Sequence, residues 1–435
     1  MITTPFLTTY DPPGSSEGTL DPLGLYTIAD GLAQKLVPAV RERMLRIRFL
    51  TPMTVGGLLT EDLPHENYPP GVYPHLVWEW LVVEAIVRTQ KNEGQLWGLP
   101  GVSVVGTAVD DYGYVDARSY LKTPRVFGFH GVYKRLAVQL GLVDSALRFR
   151  APKGETLVRA WSRDRGLKDF NPQHPLFQKW QRAIKRSLES DPVRTRLPAG
   201  WRKSDWQELA EAFLPHGIKK NERACIARML LADDHEQLGA LPFIWDQCDV
   251  LHAAEEEEEI DERAFHGELK QAVPDYEVLV DAIGSYEAFC RNLNDGFDIL
   301  RSEGSQQDVR GLQVTQLAKD AEFQQIATHS HTLYQQALHN VGNVDASSEA
   351  KLIDRFALFA EPMPPEQFAI VLCEHHENIQ KEKSRDGKRP WFDRLGANRI
   401  YVRRNYRVER PERQPAAYVN SYRTYPVYRF FNDLQ

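Results

Sequence analysis

Apolar residues recur at spacings of three and four along much of the chain, the signature of helices with one buried face. Leu25, Ile28, Ala29, Leu32 and Leu36 predict a first helix, and Pro38 opens or kinks a second carrying Val40, Met44 and Ile47, ringed by Arg41, Arg43, Arg46 and Arg48. The run PHLVWEWLVVEAIVRTQ has Pro74 at a first-turn position and is apolar on nearly every side, which predicts a central core helix. GVSVVGTAV, in a stretch rich in glycine and β-branched residues, predicts a short strand. From Gly131, the sequence GVYKRLAVQLGLVD places Val132, Leu136, Ala137 and Leu140 on one face and stops at Gly141, a left-handed cap. ALRFRA then alternates, Pro152-Lys153-Gly154 turns, and ETLVRAW continues as a further element. Helix, glycine stop, short strand and basic turn is the order of the C-terminal half of a winged helix.

Farther on, Trp180, Ile184 and Leu188 keep helical spacing, and Ser204 is placed to cap a helix over KSDWQELAEAFLP. The expected fold is mainly α and multidomain (α+β), helical domains with an embedded winged-helix-like module. The divisions are an extended arm over 1–20, a helical domain over 21–165 with the module at about 118–165, and a helical middle domain over 166–300 with an acidic loop at 255–262. A helical domain over 301–383 and an Arg/Tyr-rich segment over 384–435 follow.

Composition narrows this picture without naming a reaction. The 435 residues are 42% hydrophobic and 26% charged, as expected of a folded chain. No apolar run approaches the roughly 18 residues of a membrane span, and the opening MITTPFLTTYDPPGSSEG has neither a basic nor an apolar leader region, so a soluble cytoplasmic protein without membrane contact is expected. Cys225, Cys248, Cys290 and Cys373 lie far apart and read as reduced, buried thiols. The net charge of -7 hides two basic segments: residues 118–165 carry 11 Lys and Arg against 3 Asp and Glu, and residues 379–413 carry 12 against 5. Such segregation attracts phosphate locally even on an acidic protein. The alternative is that both segments pair with acidic ones, above all Glu255 to Glu259, Asp261 and Glu262.

Within the first segment, burial of Val132, Leu136 and Leu140 turns Tyr133, Lys134, Arg135 and Gln139 toward solvent or a ligand. Lys and Arg neutralise phosphate or pair with guanine, and Gln bonds adenine. Arg125, His130, Arg148, Arg150 and Lys153 extend the same surface. Winged helices also dock proteins, so the fold alone does not decide between the two. In the second segment Lys388, Arg389, Arg403 and Arg404 interleave with Trp391, Phe392, Tyr401 and Tyr406, a mixture that suits base stacking and backbone tracking. It equally suits a strap whose aromatics pack on the body and whose arginines meet acidic side chains.

No G-x-x-x-x-G-K, G-x-G-x-x-G or G-x-S-x-G occurs, which argues against a P-loop enzyme, a dinucleotide enzyme and an ordinary serine hydrolase. In LCEHHENIQ, the adjacent His375 and His376 point about 100° apart on a helix and cannot share one ion, so no zinc and no other cofactor is expected. His329 and His331 lie on another helical stretch. Asp261 with Glu268 and Lys270 has the letters of a metal-dependent nuclease but sits in a helical pattern. DPLGLYTIADGLAQKLVPAVRERMLRIRFLTP, FGFHGVYKRLAVQLGLVD and HHENIQKEKSRDGKRPWF resemble uncharacterised bacterial proteins encoded beside helicases and other phage-defence or DNA-processing genes. That resemblance implies a subunit of a bacterial multi-protein system rather than a metabolic enzyme; together with the two basic segments, the partners expected are nucleic acid, DNA first, and other protein subunits. The function expected is non-catalytic nucleic-acid binding or scaffolding, with a metal-dependent nuclease or a pure protein adaptor as alternatives.

Overall fold

The computed structural model describes residues 21–435 apart from 42, 65–67, 91–92, 198–200, 232–238, 257–260, 384–387, 397, 413 and 415; the arm expected over 1–20 and the centre of the glutamate run lie outside the described residues. The chain is mainly helical with one small antiparallel sheet. It divides into two compact units, neither continuous in sequence: Val37–Ile260 joins Arg423–Gln435, and the helix Tyr26–Leu36 joins Asp261–Tyr422. The boundary expected at 300 falls inside a helix of 29 residues, Glu277–Ser305. Helices distant in sequence complete each core, and periodicity within a segment carries no trace of that.

In the first unit the core helix Pro74–Thr89 is buried over nearly its whole length, including Glu79 and Glu84. Trp78 donates its indole N–H to the Pro52 carbonyl at 2.8 Å and packs with Trp180 and Phe213, while Trp161 stacks on Phe213. The second helix expected after Pro38 is not formed there; Ala39 takes a left-handed φ of 63°, and helix resumes as a 3-10 turn at Ile47–Phe49 that leads into Leu50–Leu59. Arg48, expected on a helix surface, is fully buried in an ion pair with Glu222. GVSVVGTAV is helical, not extended: Val102–Tyr112 buries Val105 and Ala108, and Gly101 and Gly113, both at positive φ, bound it. A three-residue spacing of buried positions thus outweighs the β-propensity of valine. Ser204 lies inside the helix Lys203–Phe213, whose cap is Arg202.

The second unit is built on the helix Glu277–Ser305, which packs along Ala321–Gly342 and beside Pro365–Glu382. Tyr286 of that helix donates its hydroxyl to the Leu25 carbonyl at 2.7 Å, fixing the start of the helix Tyr26–Leu36. The sheet has the order β1 (Leu312–Gln313), β3 (Arg399–Val402), β2 (Phe392–Arg394), with Leu312 opposite Ile400 and Phe392 opposite Val402. All four cysteines are buried and free. Among the described residues no helix is long and apolar enough to cross a membrane.

Candidate nucleic-acid interface

The helix expected at 131 begins two residues earlier, spanning Phe129–Gln139. Its C-terminus closes as the glycine predicted: Gly141 has φ 70°, its N–H reaches the Val138 carbonyl at 3.0 Å, and Leu142 N–H reaches the Ala137 carbonyl at 2.9 Å. The strand expected over 146–151 is reduced to a single bridge, Val143 to Phe149, around a loop in which Asp144 accepts the N–H groups of Ala146 and Arg148. The Pro152 turn leads directly into a helix, Lys153–Asp164, so no regular strand occurs among the described residues of 118–165.

Two residues expected to face a ligand belong to the core. Tyr133 is fully buried and its hydroxyl accepts the Arg46 N–H at 2.9 Å, because at the start of the helix its ring packs against Phe49. His130 is 5% exposed, and its Nδ1 hydrogen-bonds the Glu79 carboxylate at 2.6 Å. Glu79 also accepts the His130 backbone N–H at 2.9 Å and the Tyr120 hydroxyl. The carboxylate therefore sits on the N-terminus of the basic helix, where its charge complements the helix dipole, and Gly128 leaves it room: a Cβ there would overlap the carboxylate oxygen. Burial and the adjacent Glu79 push the Tyr120 hydroxyl well above its ordinary value, which keeps it a donor.

The remaining residues stay outside this core. Arg125, Arg135, Arg148, Arg150 and Lys153 are exposed, while Lys134 and Gln139 are half-buried. Lys122, Arg125, Lys134 and Arg148 converge on one cavity of about 590 Å³, whose wall includes Tyr73, His75, Glu79 and His130. Arg150 and Lys153 line a second hollow that shares Ser145 with the first. Among the described residues none of Lys122, Arg125, Lys134, Arg135, Arg148, Arg150 and Lys153 has a carboxylate within 4.0 Å. Lys122, Tyr73, His75 and Glu79 were not singled out in the sequence; the one signal was a pair of carboxylates, Glu79 and Glu84, in an otherwise apolar helix.

The second basic segment is organised differently. Trp391 is 5% exposed, lies parallel to Tyr406 at 5.0 Å, and receives the Arg301 guanidinium over its face at 4.7 Å. Its backbone N–H donates to His376 Nε2 at 3.0 Å. Arg403 pairs with Asp393 at 2.6 Å, Arg394 with Glu374 and Glu377 at 3.1 Å each, and Arg410 with Asp320 at 2.7 Å and Glu322 at 2.5 Å. Lys388 is half-buried, and its backbone N–H bonds the Gln380 carbonyl at 2.8 Å; Arg389 and Arg404 are exposed. Packed aromatics and paired arginines are the geometry of a strap, so Trp391 and Arg403 are not displayed for stacking or phosphate contact. Their partners among the described residues include Asp393 and carboxylates of neighbouring helices.

No known protein family, curated protein or solved structure matches this chain. The chemistry must therefore be read from its own residues. His375 and His376 are both buried: His375 Nε2 donates to the Leu23 carbonyl at 2.7 Å, and His376 Nδ1 donates to the Pro22 carbonyl at 2.9 Å. His329 Nδ1 is bonded within its own helix to the Gln325 carbonyl at 2.8 Å. Among the described residues no group of three or more His, Cys, Asp or Glu is arranged to hold a metal ion. The Asp261, Glu268 and Lys270 set does not converge: Asp261 caps the helix Glu262–Ala272, Glu268 faces solvent, and Lys270 pairs with Asp281 at 2.7 Å and Glu277 at 3.3 Å.

Proposed function

We propose that this chain is a non-catalytic nucleic-acid-binding subunit of a cytoplasmic bacterial multi-protein system, with the helix Phe129–Gln139 and the loop after it serving as a winged-helix-like reader of DNA. The observation that carries this reading is the contrast between the two basic segments. In the C-terminal segment Arg394, Arg403 and Arg410 meet carboxylates of the same chain, whereas seven cations of 118–165 meet none among the described residues. Phosphate binding is driven by counterions that the nucleic acid releases when protein cations replace them, and in the first segment four such cations, Lys122, Arg125, Lys134 and Arg148, gather on one cavity. The resemblance noted in the sequence supports the multi-subunit setting.

Lys134 and Arg135 are the residues to change, because neither takes part in the core beneath them. In the K134E/R135E variant the fold stays intact and affinity for duplex DNA collapses. Each phosphate contact adds about 0.9 to the slope of log affinity against log salt, so two lost contacts flatten that slope by about 2. Unchanged affinity and slope would move the reading to a protein adaptor.

A further inference from the structure

Resting on the nucleic-acid reading above, we propose that the cavity beside the basic helix holds a single nucleoside phosphomonoester, either the phosphorylated end of a strand or a free mononucleotide. Its volume of about 590 Å³ lies in the range of sites for small organic ligands. Four cations, Lys122, Arg125, Lys134 and Arg148, surround this one space. An internal phosphodiester brings one negative charge per nucleotide, whereas a phosphomonoester brings nearly two to one point, the better match to cations gathered at one mouth. Beside the cations lies an aromatic wall: Tyr73 and His75 are within 5° of parallel at 5.4 Å, and the Arg125 guanidinium lies over Tyr73 at 5.6 Å. Nucleobases stack on such surfaces whatever their sequence.

His130 ties this lining to the core behind it. His130 is 5% exposed, its Nδ1 is committed to Glu79, and its Nε2 has no hydrogen-bond partner among the described residues. That nitrogen has essentially no accessible surface, so it belongs to the packing behind the cavity and is not a contact offered to a ligand. Among the described lining residues the one acidic side chain is Glu79, whose oxygens are taken by His130 and Tyr120. Four cations and a stacked ring pair lining this one space match the phosphate and the base of one nucleotide.

Calorimetric titration of the full chain with AMP, adenosine and inorganic phosphate tests this. One AMP per chain is expected, bound at least tenfold more tightly than either fragment. In R125E/R148E, whose changed side chains are exposed, AMP binding is lost while the circular dichroism stays that of the parent. Tyr73→Phe, which keeps the ring, leaves AMP binding within about twofold, whereas Tyr73→Ala weakens it about tenfold, in line with one lost stack. No AMP binding, equal binding of AMP and phosphate, or indifference to R125E/R148E would overturn the proposal. A duplex with and without terminal phosphates separates the two sources: a tenfold preference for the phosphorylated form assigns the site to strand ends, and AMP binding without that preference assigns it to the free nucleotide. Duplex binding without AMP binding removes the cavity proposal and leaves the nucleic-acid reading standing; AMP binding without duplex binding does the reverse.

Discussion

Arg48 is fully buried and its partner Glu222 is 1% exposed, with Thr51 donating its hydroxyl to the same carboxylate at 2.5 Å. Removing one member of such a pair strands the other charge, which costs about 3–5 kcal/mol, whereas replacing both with apolar groups is often neutral. Arg48→Met therefore destabilises the first unit, and Arg48→Met with Glu222→Leu recovers most of the loss, as chemical denaturation of each variant will show. The histidines of the second unit act through protons instead. Burial holds His266 and His375 down to about 4 and His376 down to about 3, against about 6.5 in an unfolded chain. Their contribution is complete above pH 6.5 and is lost as pH falls toward 4 and then 3, because the unfolded chain takes up protons that the folded one refuses. Glu287 and Asp298, raised by burial, pull the other way, so the signature is a difference: His376→Gln should reduce the slope of unfolding free energy against pH by up to one proton between 6.5 and 4. An unaltered slope would mean that His376 titrates as freely when folded as when unfolded.

Among the elements, the strap is the one whose role was open in the sequence. Trp391 fills a site bounded by Phe297, His376 and Tyr406. Trp391→Ala should cost about 3–5 kcal/mol and lower the melting temperature by roughly 10 °C, with DNA affinity unchanged. A fall in affinity without a fall in stability would return the strap to the binding surface. The helix Pro74–Thr89 and the helix ending at Gly141 were legible because an apolar run after proline and an apolar face ended by glycine are local facts. The helix Val102–Tyr112 was not, since its valines favour strand and only burial of Val105 and Ala108 shows which period prevailed. For the site, the cations of 118–165 were visible as a charge excess, but Tyr133 shares the polar side of the helix in sequence and the aromatic core in space. Glu79 lies 51 residues before His130, a separation that no periodic reading bridges.

At the scale of the whole molecule, the last thirteen residues complete a unit whose other residues ended at Ile260. The helix Thr424–Leu434 lays Phe431 against Trp245 at 4.9 Å, bonds His252 through the Tyr428 hydroxyl at 2.9 Å, and pairs Asp433 with Arg46. Burial raises the Asp433 carboxyl to about 6 even beside Arg46, a mark of how completely this helix is enclosed. A chain ending at Tyr422 should therefore lose the first unit's cooperative unfolding transition and its DNA binding, although every proposed contact lies between Lys122 and Lys153; retention of both would make the helix an ornament. This arrangement also imposes a timetable on synthesis. Residues 261–422 must be translated before the helix that closes the first unit exists, which at about 5–20 residues per second is roughly 10–30 s. During that interval the basic surface is carried by an unfinished core, so the nucleic-acid binding proposed for it is withheld from the nascent chain until the second unit has been made.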